Sequence, residues 1–167
     1  EYTHFTNNFY TEWFISPEWK TTIRFSVSDK KNQADSFYPT NHSNFSNYRS
    51  SDLLVRRGRY ILENGESRSI SGDANVNYMK SVGRHTFFSN LGAFVSEDTY
   101  SAYQHFAEGF MNNQMADITF ARQYAEGVPP MGYASINRQA DFLLAASYDY
   151  DNRYLTDLTV RESASSL

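Results

Sequence analysis

Chemistry in a protein needs the right side chains within reach of one another, and few groupings in this chain offer that. Four histidines, His4, His42, His85 and His105, could in principle ligate a metal, but none stands at ligand spacing from another and the chain has no cysteine. No metal site and no resident cofactor is expected. Asp149 and Asp151 could act as paired carboxylates for acid and base work. They flank the pair Asp151-Asn152, which reads as a tight turn, and turn chemistry accounts for both of them. Arg56, Arg57 and Arg59 form the one basic cluster, and a solvated loop accounts for it. There is neither a glycine-rich phosphate loop nor a nucleophile elbow. No catalytic residue is assigned, and the chain does not read as an enzyme.

Binding is better represented than catalysis. Tyr100, Tyr103, Phe106, Arg122 and Tyr124 cluster within one stretch of sequence. Aromatic faces stack on sugar rings or pack on another protein, and an arginine fork suits a carboxylate. These five are the candidate contacts to cargo or to a partner.

The elements that would position them follow from composition and period. Aromatics make up 17% of the 167 residues, with 13 Tyr and 13 Phe, yet the mean hydropathy is −0.63. Rings without apolar runs suit strands that alternate between lipid and water and carry aromatic girdles. An extracellular β-sandwich binding carbohydrate through exposed rings shares that composition and is the alternative. The net charge of −4 argues against a nucleic-acid partner. No stretch reaches the length of a membrane-spanning helix, so any crossing is made by strands. The chain opens on Glu1-Tyr2-Thr3-His4, without initiator Met or signal peptide, and reads as an internal piece of a longer protein.

Period-two alternation is clearest from Lys20 to Asp29. Thr21, Ile23, Phe25 and Val27 alternate with Thr22, Arg24, Ser26 and Ser28. From Ser69 the pattern returns, with Ile70, Gly72, Ala74, Val76 and Tyr78 on one face and Ser71, Asp73, Asn75 and Asn77 on the other. In the last hairpin Phe142, Leu144, Ala146, Tyr148 and Tyr150 continue as Tyr154, Thr156, Leu158 and Val160, opposite Asp141, Ser147, Asp149, Asp157 and Arg161. Arg24, Asp73, Asn75, Asp141, Asp157 and Arg161 are the candidate lumen-facing residues. Tyr148, Tyr150 and Tyr154 lie beside a tight turn and are the candidate interfacial girdle. Short turns near positions 17, 82 and 152 alternate with long connections, from about 30 to 68 and from about 97 to 136. Long loops on one side and short turns on the other are the habit of outer-membrane barrels. In the second connection Met115, Ile118, Ala121 and Ala125 recur at helical steps and predict a short helix ended by Gly127 and Pro129-Pro130. In the first, Asn41-His42-Ser43 and Asn44-Phe45-Ser46 match the glycosylation triplet, which we read as accidental.

The stretch from Leu143 to Leu155, LLAASYDYDNRYL, resembles the SusC/RagA family of TonB-dependent transporters, in which a Tyr-rich strand turns at an Asp-rich pair, continues as Arg/Lys-Tyr-Leu and leads to an Arg before Ser-Ser. Here those last positions are Arg161 and Ser165-Ser166. The segment Asn8-Phe9-Tyr10-Thr11-Glu12-Trp13 and the strand after it look like part of the same barrel. The chain departs from the family at Glu162-Ser163-Ala164, where Arg-Asp-Gly is common. The resemblance implies an all-β fold: a transmembrane barrel of about 22 antiparallel up-and-down strands. Residues 1–167 would supply about six strands, the plug and the remaining strands being absent. It further implies residence in the bacterial outer membrane against its lipid, and import of oligosaccharides or peptides. TonB would act through the absent N-terminal portion, and a SusD-like surface lipoprotein would be the partner.

Overall fold

A computed structural model describes residues 1–166. The chain forms an antiparallel sheet, with β1 (Tyr2–Ser16), β2 (Trp19–Tyr38), β3 (Arg59–Val82), β4 (His85–Glu108), a two-residue β5 (Gln123–Tyr124), β6 (Met131–Tyr150) and β7 (Tyr154–Ser166). The long strands neighbour one another in the order β1-β2-β3-β4-β6-β7, and β5 pairs with β4. Strands adjacent in sequence are thus adjacent in space, the up-and-down arrangement that short turns enforce. The β6/β7 register runs from Tyr150 opposite Tyr154 to Arg138 opposite Ser166.

The turns follow their residues. Gly83 takes φ of +62, and Asp151 and Asn152 take +56 and +53. Consecutive positive φ values suit the right-handed twist of a hairpin, and Asp and Asn tolerate them better than other side chains do. Asp149 Oδ1 accepts from Asn152 N at 2.8 Å, so this carboxylate closes the turn, as the sequence implied.

The sandwich alternative requires Ile23, Phe25, Leu144 and Leu158 to meet in a closed core. They do not: these four are between 39% and 59% exposed on a single sheet, with no second sheet against them among the described residues. An open apolar face on strands this long needs a covering that is neither water nor another part of residues 1–166.

Two compact units share the strands. One comprises residues 1–4, 30–67 and 100–134, the other residues 5–29, 68–99 and 135 onward. The first holds the buried core, with Tyr60, Ala107 and Phe110 packed by Phe37, Leu62, Ile118 and Ala121. Its two connections are shorter than expected, since β2 continues to Tyr38, β3 begins at Arg59, β4 continues to Glu108 and β6 begins at Met131. The predicted helix is also absent. In its place stand a 3-10 turn at Ile118–Phe120 and the strand β5, because Ile118 and Ala121 turn into the core while Gln123 and Tyr124 pair with Glu108 and Ala107. The first connection instead carries a short helix, α1 (Ser51–Leu54), and a 3-10 turn at Ser43–Phe45.

Candidate functional site

In the second unit, alternation along β2 and β3 sets Arg24, Asp73 and Asn75 on one face. Arg24 Nε stands 2.9 Å from Asp73 Oδ1, and Asn75 Nδ2 donates to Asp73 Oδ2 at 3.0 Å. On β6 and β7, Asp141 Oδ2 accepts from Gln139 Nε2 at 2.8 Å and lies 3.4 Å from Arg161 Nη2. Arg24, Asp73, Asn75, Gly92, Asp141 and Arg161 line one shallow cavity of about 460 Å³. Gly92 leaves room there for the Asn75 side chain, whose Oδ1 would lie 2.8 Å from a Cβ at that position. The carboxylates sit low while the guanidiniums project from the wall, so the surface offers donors to whatever passes it. Ion pairs this exposed contribute at most about 1 kcal/mol of stability. Asp157, opposite Ser147 in the β6/β7 ladder, is not among the residues lining the cavity.

The other face of this unit is apolar. Gly72 lies against Phe25 and Val95, and a row of rings runs beside the tight turns. Trp19 and Tyr78 have centroids 4.6 Å apart, Tyr78 and Phe87 6.2 Å, and Tyr150 and Tyr154 6.4 Å in a stacked pair. His85 sits 4.9 Å from Tyr150 and bonds the Tyr148 hydroxyl at 2.6 Å. Tyr148, Tyr150 and Tyr154 therefore belong to one continuous ring cluster, and His85 is a member that no local pattern announced.

In the first unit the five candidate contacts divide. Tyr100, Tyr103 and Phe106 stand on β4 and not in a loop. Tyr100 pairs with Tyr133 at 6.0 Å, and Tyr103 packs so closely on Gly132 that a Cβ there would meet its ring at 3.1 Å. With Glu63 and Gln104, hydrogen-bonded to each other, these residues line a cleft of about 340 Å³. Phe106, Arg122 and Tyr124 lie elsewhere. Phe106 accepts the Ala125 amide through its carbonyl at 2.8 Å, Tyr124 stacks on His105 at 6.3 Å, and Arg122 packs against Gly109. Tyr133, Glu63 and Gln104 were missed. Their partners are remote in sequence, and only the ring at Tyr133, at the mouth of β6, was a visible signal.

The arginine cluster is not a solvated loop. Arg56 Nε donates at 2.7 Å to Glu108, which is 1% exposed, and its Nη1 bonds Glu126. Gln123 Nε2 adds a bond to the same Glu108 oxygen at 2.9 Å. Arg57 Nη2 donates to the Tyr48 carbonyl at 2.7 Å, and the Gly109 and Phe110 amides donate to the Gly58 and Arg57 carbonyls. The two connections are thereby tied together through a carboxylate withdrawn from water and compensated on several sides. Asp117 accepts from the Thr119 amide and hydroxyl at 2.8 and 2.6 Å, and these bonds hold its carboxyl below the ordinary carboxylate range.

An antiparallel meander of long strands with one apolar and one polar face is the architecture of a transmembrane barrel wall. Among solved structures the chain is similar to the RagAB peptide transporter, with a TM-score of 0.83 and 14% identity over 98% of this chain and 17% of that one. It is also similar to the RagAB peptide importer in its closed-closed state, with a TM-score of 0.82, 15% identity, and coverage of 99% and 18%. The open-open state of that importer gives a TM-score of 0.81 at 15% identity over 99% and 17%. The likeness is one of fold, and residues 1–167 span about a sixth of the length of those chains. No family model matches the chain. No curated protein matches it either.

Proposed function

We propose that residues 1–167 form part of the wall of an outer-membrane transport barrel, a partial barrel domain whose plug and remaining strands lie outside this segment. The observation that carries the reading is the division of the same strands into two faces. Ile23, Phe25, Leu144 and Leu158 stand uncovered on one, and Arg24, Asp73, Asn75, Asp141 and Arg161 line a wet cavity on the other. Lipid is the covering that an uncovered apolar face of this length accepts. The ring row beside the tight turns would lie at the membrane interface, and the polar wall, with Asp157 further along it, would line the conduit.

The cargo we propose is peptide, with oligosaccharide second. The fold is shared with structures described as peptide transporters, and the donor-rich wall and the Tyr100/Tyr133 cleft suit chains carrying carbonyls and carboxylates. Import through a plugged barrel would be energised through TonB and completed by a SusD-like lipoprotein at the outer mouth. Nothing in this reading requires an enzymatic step. The test is uptake: cells lacking the intact gene should lose accumulation of labelled short peptides and regain it on complementation. Undiminished peptide uptake in the deletion strain would refute the proposal, and loss confined to oligosaccharides would transfer the cargo to sugars.

A further inference from the structure

Arg59 opens β3 and lines a second cavity in the first unit, of about 330 Å³, together with Tyr38, Asn44, Phe45, Tyr48 and Ile61. The cavity is built before anything enters it. The Ser43–Phe45 turn is capped by His42, whose ring accepts from the Asn44 amide at 3.2 Å, and Phe45 is buried as its anchor. Tyr38 packs on His42 at 5.1 Å and Tyr48 on Phe45 at 5.4 Å, both edge-on, while Arg57 holds the Tyr48 carbonyl. These rings are restrained by their own neighbours, which lowers the ordering cost of binding.

Arg59 borders that frame without a carboxylate partner. Its Nε, like that of Arg57, is shut off from water with no hydrogen-bond partner, and among the described residues no carboxylate pairs with Arg59. Arg24, Arg56, Arg84, Arg138, Arg153 and Arg161 each have one, whereas Arg49, Arg57, Arg68 and Arg122 share with Arg59 the lack of one among the described residues. Arg59 as a whole is half-buried, so what it offers the cavity is the accessible part of its side chain and not the enclosed Nε, and a guanidinium without a carboxylate partner is ordinarily matched by another acceptor. An aromatic-walled cavity of this size with one unmatched arginine is suited to a planar anion joined to an apolar or aromatic body.

We propose that this cavity binds a carboxylate of the cargo, with Arg59 as its partner and Tyr38, Phe45 and Tyr48 as the walls around the adjoining side chain. The inference rests on the import reading above and adds to it a recognition site. Two sources share the chemistry, a peptide's C-terminus and an acidic side chain.

The experiment is calorimetric titration of the full-length protein in detergent with three acetylated tripeptides. Ala-Ala-Tyr as the free acid carries a terminal carboxylate, its amide carries none, and Ala-Asp-Tyr amide carries one on a side chain. At least one carboxylate-bearing peptide should bind about tenfold or more tighter than the carboxylate-free one, the worth of a charge-assisted bond. Whichever does so names the source. Arg59→Gln should remove that preference, Arg59→Lys should keep part of it, and Arg153→Gln, in the β6/β7 turn and outside the cavity lining, should leave it intact as a control of net charge. Equal binding of all three peptides, no binding of any, or a preference that survives in Arg59→Gln would overturn the inference. The import reading fails separately, by unchanged peptide uptake in the deletion strain.

Discussion

Replacing Gly58 by alanine separates two costs that usually arrive together. Gly58 has φ of +82, and a Cβ built there comes within 2.9 Å of Phe110 Cβ, 3.2 Å of its Cδ2 and 3.3 Å of Thr40 Cγ2. The backbone conformation alone costs an L-residue about 1–2 kcal/mol. Forcing a methyl into a packed site adds about 1–3 kcal/mol, because Phe110 is held among Tyr60, Ala107 and Phe37 and cannot swing away. Gly127 supplies the comparison, with φ of +76 and nothing within 4 Å of its Cβ position, so only the first cost applies. Gly58→Ala should destabilise the first unit by about 2–5 kcal/mol and Gly127→Ala by about 1–2 kcal/mol. Hydrogen exchange of residues 39–58 and 109–130 in the purified full-length protein reads the difference. Opening of both connections should rise together in Gly58→Ala, since the Gly58 carbonyl accepts from Gly109 N at 3.2 Å. Equal effects from the two substitutions would refute the packing argument.

Glu108→Ala should release Arg56 and Gln123 at once and make proteolysis of both connections at least tenfold faster, the equivalent of one charged hydrogen bond of about 1.5–3 kcal/mol. Cleavage confined to one connection would show that Glu108 does not join them. Asp117 predicts a pH dependence. Because Thr119 depresses its folded pKa, its contribution is fully present above the unfolded value of about 4 and is lost as pH falls through the lower folded value. Protection of the Thr119 amide, corrected for intrinsic exchange, should therefore fall in that acid window and become insensitive to pH in Asp117→Asn; unchanged acid sensitivity in the variant would assign the effect to another group.

Legibility in the sequence tracked chemical contrast between faces. The β6/β7 hairpin could be read because Phe142, Leu144 and Ala146 alternate with Asp141 and Ser147, and its turn because Asp151-Asn152 accepts positive φ. Residues 30–38, 59–68, 97–108 and 131–136 are strand where the sequence predicts loop, since both of their faces are polar or mixed and period two leaves no trace there. The false helix arose from Met115, Ile118, Ala121 and Ala125, whose helical spacing is coincidental: Ile118 and Ala121 serve the core, and the Ala125 amide serves Phe106. At the sites, Arg24 with Asp73 and Asp141 with Arg161 could be placed on a common face by parity. Arg56 with Glu108, Tyr100 with Tyr133 and the unmatched Arg59 depend on folding residues far apart in the chain into contact, which no local pattern encodes.

The central claim is that neighbouring residues of one strand meet different solvents. Residues 1–167 contain no cysteine, so with any cysteine elsewhere in the full-length protein replaced by serine, single cysteines can be placed at 141 to 146 of β6, labelled with a fluorophore and reconstituted in vesicles containing a lipid-resident quencher. The account predicts strong quenching at Phe142, Leu144 and Ala146 and weak quenching at Asp141, Leu143 and Ala145. Uniform quenching along these six positions, or none, would contradict it.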